Sequence, residues 1–316
     1  MRDWIPSLTQ PDSVPTVVAV IAAYGPLPTL IGTVRTLLDQ VQEVVVVDDG
    51  SPEETESLFN ELASIGVTIV RQGTNSGIAA ALNAGIEKAR ELWNPDFYLT
   101  LDQDSRPSPQ YVRSGLETFT TAAALGLHVG FVTAASYSGH PIPVRASKGP
   151  FVQAFDPMQS GFLLPRSSFE RVGRFDEGLF IDGVDSEYTM RTRSAGLSVL
   201  VGEGCDIEHD LGQREPATLF GKAVRIKGSQ LSYNYHSPSR VYYICRNGTV
   251  LSLRYVVKDP AWVVRRLVEE SKAHVLRFTF SPGRLKLAQA AAQGFRDAFR
   301  GSTGRIPARL EQRLRR

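Results

Sequence analysis

Phe97-Tyr98-Leu99-Thr100-Leu101-Asp102-Gln103-Asp104-Ser105 is a run of apolar and β-branched residues that ends in two carboxylates one residue apart. With Pro107 and Pro109 just beyond, it predicts a buried parallel strand whose C-terminal edge opens at Asp102. Open α/β sheets place ligands at that edge. Residues two apart in an extended chain share a face, so Asp102 and Asp104 would converge, and hard divalent cations prefer oxygen ligands. A solvated turn after a strand would leave the same tripeptide, so the rest of the chain has to decide.

Upstream, Thr16 to Ala23 is an uninterrupted apolar run and predicts a central parallel strand ending at Tyr24-Gly25-Pro26. Helical spacing of Leu30, Val34, Leu37 and Leu38 follows. Glu43 to Ser51 gives a second strand ending in Asp48-Asp49, and Pro52-Glu53-Glu54 suits the first turn of a helix running to about Ile65. A third strand, Val67 to Val70, leads to Asn75-Ser76-Gly77 and a helix rich in alanine, with Asn75 or Ser76 as its cap. Such tightly spaced β-α units predict a mostly parallel sheet with right-handed crossovers. No G-x-G-x-x-G follows the first strand and no phosphate-binding G-x-x-x-x-G-K-S/T occurs, which disfavours a dinucleotide site. What remains is a sheet with carboxylates at the ends of its second and fourth strands. That suits a ribose or base contact at one and a metal-bound diphosphate at the other.

Downstream, Tyr111 to Ala124 reads as a helix and Val129 to Ala135 as a strand, while the glycines and prolines of residues 136–156 predict a loop-rich segment. Gln159 to Pro165 is strand-like. Asp182, Asp185 and Glu187 then precede or open a helix at one junction, where three carboxylates repel each other and need a reason. Helix capping by Asp185 and Glu187 is the alternative.

A chain of 316 residues, 42% hydrophobic and 22% charged, can build one large α/β domain with an appendage. Cys205 and Cys245 form no spaced pair, which fits a reducing compartment. The N-terminus lacks the apolar core of a signal peptide, and no run approaches the ~20 apolar residues of a spanning helix, so a cytoplasmic chain is expected. Charge is segregated: residues 240–316 hold 17 Lys or Arg against 5 Asp or Glu, leaving 18 against 28 in the body. Helices are expected at about 237–257, 260–279 and 284–300, the last with Leu285, Ala288, Ala292, Phe295 and Phe299 on one stripe. The first should pack on the body. The later two are expected to make a peripheral contact with an anionic membrane surface on its inner, cytoplasmic face. No nucleic-acid module accompanies the charge.

In order, Val20 to Tyr24, Val46-Val47-Asp48-Asp49-Gly50-Ser51, Asn75 to Asn83, Leu101-Asp102-Gln103-Asp104-Ser105, Gln159-Ser160-Gly161, Ile181 to Glu187 and His209 resemble the inverting glycosyltransferases of family 2, with the nucleotide-binding GT-A fold. The Leu-Asp-Gln-Asp-Ser form and the basic tail with Ser237 to Tyr243 and Arg246-Asn247 resemble the bacterial rhamnosyltransferase branch. The resemblance implies a GT-A domain, taken as residues 1–235; charge and spacing beyond it predict a basic helical extension at 236–300, and the tail at 301–316 is expected to be disordered. It implies nucleotide contacts at Ala22, Tyr24, Asp48, Asp49, Gly77 and Asp102, with Ala22 acting through its backbone. It implies a Mg2+ or Mn2+ held by Asp102, Asp104 and His209, the last being either a ligand or a packed polar residue. Gln159, Ser160 and Gly161 are implied acceptor or sugar contacts. Asp185 is the implied general base, with Asp182 and Glu187 as rivals.

The chemistry so implied is a single inverting displacement: a carboxylate takes the acceptor's hydroxyl proton while a nucleoside diphosphate departs. The expected donor is dTDP-rhamnose and the acceptor a hydroxyl of a cell-surface polysaccharide or lipid-linked glycan precursor. A UDP-hexose or UDP-galactofuranose donor on the same fold is the enzymatic alternative, and a non-catalytic nucleotide-sugar or membrane-binding protein the alternative of another class.

Overall fold

The structure, a computed structural model, describes residues 14–209, 214–219, 222–226 and 228–315. The N-terminal segment read above for a signal peptide lies outside them. The chain forms two compact units: residues 1–180 with 184–210, and residues 181–183 with 211–316. The division thus falls near residue 210 rather than at the expected 235.

In chain order the first unit holds β1 (Val17–Ala23), α1 (Thr29–Leu38), β2 (Glu43–Asp48), α2 (Glu56–Ser64), β3 (Thr68–Arg71), α3 (Ile78–Trp93), β4 (Phe97–Asp102), β5 (Ser105–Pro107) and α4 (Tyr111–Ala124). It continues with β6 (Val129–Thr133), β7 (Ser136–Tyr137), β8 (His140–Pro141), β9 (Val144–Lys148), β10 (Phe151–Ala154), β11 (Phe162–Pro165), α5 (Arg166–Val172), α6 (Val184–Ser194), β12 (Ser198–Val201) and β13 (Asp206–His209). The main sheet runs β3-β2-β1-β4-β11-β6-β12-β10-β9. Its β3-β2-β1-β4 part is parallel, whereas β11 runs antiparallel to both β4 and β6, and β10 antiparallel to β12 and β9. This α/β architecture agrees with the fold read from the continuous apolar runs.

Two features of this sheet position the site. Register aligns the strand ends, with Ala22 of β1 beside Asp102 of β4 and Ala23 beside Asp48 of β2. A second sheet, β5-β13-β7-β8, starts directly after the two carboxylates and pairs His209 with Ser105. The helix α3 lies on the main sheet through small residues: a Cβ at Gly85 would strike Val20 and Val47 of β1 and β2.

Residues 136–156 are not the loop expected of them. Gly149-Pro150 turns β9 back onto β10, and the left-handed Ser138 and Gly139 turn β7 onto β8. Gly139, Gly149 and Pro150 mark hairpin turns between short strands.

The second unit holds β14 (Arg214–Pro216), β15 (Thr218–Leu219), β16 (Lys222–Ala223), β17 (Arg225–Ile226), β18 (Ser229–Gln230) and β19 (Ser232–Asn234), paired as small two-stranded ribbons. Four helices follow: α7 (Pro238–Tyr255), α8 (Pro260–Phe280), α9 (Arg284–Phe299) and α10 (Ala308–Arg315). The first three match the spacing-based expectation, with Ser237 capping α7 and Asp259 capping α8. The tail corrects it. Residues 301–315 are ordered because Ile306, Leu310 and Leu314 bury one apolar face, Tyr243 Oη accepts the Ile306 N–H (2.7 Å) and Arg246 Nη1 donates to the Gly304 carbonyl (2.7 Å). Among the described residues no helix is long and apolar enough to cross a membrane.

Candidate active site

Asp102 ends β4, and Gln103-Asp104 make a turn before β5. The two carboxylates therefore meet through a turn and not by sharing one face of an extended strand. Pairing of β5 with β13 brings His209 over them. One ligand atom from each of Asp102, Asp104 and His209 lies within 4.8 Å of the others. Ser105 Oγ stands 2.7 Å from His209 Nδ1 and Asp104 Oδ1 3.5 Å from it, so the ring is oriented by a buried hydroxyl. Two carboxylates and an imidazole so placed fit a divalent cation, and the ordered hydroxyl behind the imidazole is the kind of support that such ligands have.

Behind Asp102 stands Gln159-Ser160-Gly161. Gln159 Nε2 donates to Asp102 Oδ1, and Ser160 Oγ accepts the Asp102 N–H (3.0 Å). The Gln159 carbonyl accepts from Thr100 Oγ1 and the Gly161 N–H donates to the Thr100 carbonyl, both at 2.7 Å. Gly161 is left-handed (φ +100°), and a Cβ there would collide with Tyr111 Oη and Ile207. Of these three buried residues, read from the sequence as sugar or acceptor contacts, Gln159 and Ser160 hydrogen-bond Asp102 and Gly161 pairs with Thr100.

Gln103, between the two acids, was not singled out by sequence reasoning. Its amide clasps the end of β1, accepting the Tyr24 N–H (2.7 Å) and donating to the Tyr24 carbonyl (3.3 Å). The clasp leaves the Tyr24 ring half exposed beside the buried Ala22.

At the end of β2 the two aspartates differ. Asp48 accepts the Ser51 N–H (2.8 Å) and pairs with Arg71 Nη1 (2.8 Å). Asp49 accepts the N–H groups of Ser76 (2.7 Å) and Gly77 (2.9 Å). It takes the capping role that the sequence had assigned to Asn75 or Ser76, since α3 has Gly77 at its N-cap position and no side-chain cap there. Gly77 has a positive φ (+94°), and a Cβ there would collide with the Phe180 carbonyl, which accepts the Ile78 N–H (3.0 Å).

The three candidate bases fall into different environments. Glu187 is buried and held by Arg191, Nη2 to Oε2 at 2.7 Å. Asp182 belongs to the second unit, where it pairs with Arg240 Nη2 (3.1 Å); burial nevertheless pushes its carboxyl up from the ordinary aspartate value, against the pull of Arg240. Asn247 Nδ2 fixes the same turn by donating to the carbonyls of Ile181 (2.8 Å) and Asp182 (2.7 Å). Asp185 stands half-buried in the first turn of α6 and accepts the Ser186 N–H (2.8 Å). Ser186 Oγ donates to Asp156 Oδ2 (3.0 Å), an acid that the sequence reading passed over.

Asp102 and Asp185 bear on one group. The Tyr137 hydroxyl donates to the Ser160 carbonyl (2.7 Å), and its acidity is lowered first by burial and then by the charges of Asp102 and Asp185.

A profile of the family described as "Glycosyl transferase family 2" matches residues 18–170, from β1 into α5. The chain is 30% identical over 247 residues to the dTDP-rhamnosyl transferase RfbF of Shigella flexneri, an alignment covering 74% of this chain and 78% of the relative. It is 34% identical over 116 residues to the succinoglycan biosynthesis protein ExoO of Rhizobium meliloti (strain 1021), covering 36% of this chain and 32% of that one. Among solved structures it superposes on TarS of S. aureus with a TM-score of 0.53 at 14% identity, covering 94% of this chain and half of the TarS chain. Its superposition on the mannosyltransferase PcManGT from Pyrobaculum calidifontis, in complex with GDP-Man and Mn2+, has a TM-score of 0.52 at 17% identity, covering 96% and 80% of the two chains. Those two likenesses bear on fold alone, and the fold is of the GT-A type. Carried by the long alignment with RfbF and the profile match, the chain belongs to glycosyltransferase family 2.

Proposed function

We propose that this glycosyltransferase is a metal-dependent inverting enzyme that moves L-rhamnose from dTDP-rhamnose to a hydroxyl of a surface polysaccharide or of its lipid-linked precursor. The observation that carries the reading is the convergence of Asp102, Asp104 and His209 at the C-terminal edge of the parallel sheet. Similarity to RfbF favours the rhamnosyl donor over a UDP-hexose or UDP-galactofuranose, and similarity to ExoO favours a polysaccharide product.

In this reading the ends of β1 and β2 receive the base and ribose, with the Ala22 and Tyr24 backbone, Asp48 and Asp49 forming that wall. A Mg2+ or Mn2+ bound at Asp102, Asp104 and His209 would neutralise the charge that develops on the departing diphosphate. Gln159 and Ser160 hold Asp102 in position for it. Asp185 accepts the proton of the acceptor hydroxyl as that oxygen bonds to the anomeric carbon and the bond from that carbon to the diphosphate breaks. One displacement inverts the centre and needs no covalent intermediate. The site works on the cytoplasmic side, where nucleotide sugars are made.

A panel of dTDP-, UDP- and GDP-sugars, scored for release of nucleoside diphosphate with and without a chelator, tests the proposal. Turnover of dTDP-rhamnose alone, abolished by the chelator and restored by added metal, is the expected result. Turnover of a UDP-sugar in its place overturns the donor, and full turnover in chelator overturns the metal.

A further inference from the structure

We propose that α9 docks the protein on an anionic membrane surface through the face that it turns away from α7. The packed face of α9 is made mostly of small residues, with Ala290, Ala291, Gly294 and Ala298 buried beside Leu287. At Gly294 the two helices approach so closely that a Cβ would collide with the Tyr242 carbonyl. Apart from Leu287, the large apolar side chains are on the other side. Leu285 is 81% exposed, Phe295 46% and Phe299 73%, and the exposed Ala288 and Ala292 continue the stripe between them. A helix of a globular unit ordinarily turns its largest apolar residues inward, so this distribution is reversed.

Charge names the occupant. Arg284 and Arg296 border the stripe and Arg300 follows its end, all three exposed. The single acid of the helix, Asp297, is buried and takes hydrogen bonds from Tyr242 Oη (2.9 Å) and Gln293 Nε2 (2.8 Å). The exposed face of α9 therefore carries apolar and cationic groups and no anionic one. A second copy of the chain seated there would set the same arginines against each other. An anionic lipid surface answers both halves of the pattern, acyl chains for the leucine and phenylalanines and phosphates for the arginines. The exposed strip of α8, formed by Val264, Leu267, Val268 and Val275, differs: the Glu269–Lys272 ion pair (3.2 Å) lies on the exposed side of that helix, so charge identifies no occupant there.

This surface is independent of the donor and of the catalytic assignment. The test is flotation of the full chain with vesicles of phosphatidylcholine alone or with a third of phosphatidylglycerol. The chain is expected to float with the anionic vesicles only and to be released by salt. Phe295→Ser with Phe299→Ser should lower the partition at least about tenfold, and Arg284→Gln with Arg296→Gln and Arg300→Gln about a hundredfold. All five positions are exposed, so vesicle-free turnover and melting temperature should be unchanged in both variants. Equal flotation with both vesicle types, flotation with neither, or undiminished binding by the variants overturns the proposal. So does light scattering that shows a dimer dissolved by the double phenylalanine variant, which would make a second copy the occupant.

Discussion

Buried Glu187 and half-buried Arg191, one turn apart on α6, form an ion pair in which Arg191 reaches both carboxylate oxygens, Nε to Oε1 at 3.1 Å and Nη2 to Oε2 at 2.7 Å. Arg191 also donates to the carbonyls of Val172 and Arg174, each at 2.7 Å. Glu187 is therefore the middle of a bracket that ties α6 to the segment after α5. Glu187→Gln should lower stability by roughly 1.5–3 kcal/mol, the range for a hydrogen bond to a charged group, and leave nucleotide-sugar affinity intact. Calorimetry and a binding titration measure the two effects.

Asp185→Asn is expected to do the reverse: about 10²–10⁴-fold less turnover, the range for a lost general base, with the melting temperature and nucleotide binding preserved. Should Asp185→Asn turn over normally while Asp182→Asn does not, the proton acceptor is Asp182.

At the proposed metal site His209 would set a metal preference. An imidazole donor favours Mn2+ over Mg2+, because affinity for nitrogen ligands rises along the transition series while Mg2+ demands oxygen. Chelator-treated protein should regain more donor binding per micromole of Mn2+ than of Mg2+. In His209→Ala that advantage should shrink, and Asp104→Asn should weaken metal-dependent donor binding with either ion.

Gly77→Ala tests the crowded entry to α3. The new Cβ would meet the Phe180 carbonyl and ring in a left-handed backbone conformation that alanine resists. A loss of about 3 kcal/mol is expected, combining backbone strain with steric displacement, read as a shift in denaturant midpoint.

His236 gives a pH dependence of known sign. Burial, then the positive charges of Arg240 and Arg277 and the His274 ring, push its imidazole from 6.5 down to about 3. A depressed folded pKa means that the unfolded chain takes up the proton first. This contribution to stability is complete above pH 6.5 and is lost as pH falls towards 3. The melting temperature should decline across that window, and His236→Gln should flatten part of the decline. An unchanged slope in the variant would place the effect elsewhere.

The parallel core was legible in the sequence because β1, β2 and β4 are buried on both faces and so read as unbroken apolar runs. The D-x-D pair was legible for its chemistry, though its convergence comes from a turn. The short strands β5, β7 and β13 were not legible: with two to four residues each, they have no periodicity to detect, and it is their pairing that carries His209 to Asp104. The backbone role of Asp49 was not legible, because a carboxylate at a strand end gives no sign of a backbone partner 27 residues on. The tail was misread for the opposite reason. Ile306, Leu310 and Leu314 are spaced for a helix face, but arginines between them masked the pattern. The stripe on α9 was found correctly, and only the structure shows that it faces outward.

Asp49 holds Ser76 and Gly77, and the next N–H, that of Ile78, holds the Phe180 carbonyl, five residues ahead of Asp185. The tip of β2 and the approach to α6 are thus linked by consecutive amides with no flexible side chain in between beyond one carboxylate. A substitution at Asp49 would then be felt as a slower reaction as well as a weaker grip on donor, though Asp49 itself would touch neither the acceptor nor the bond being broken.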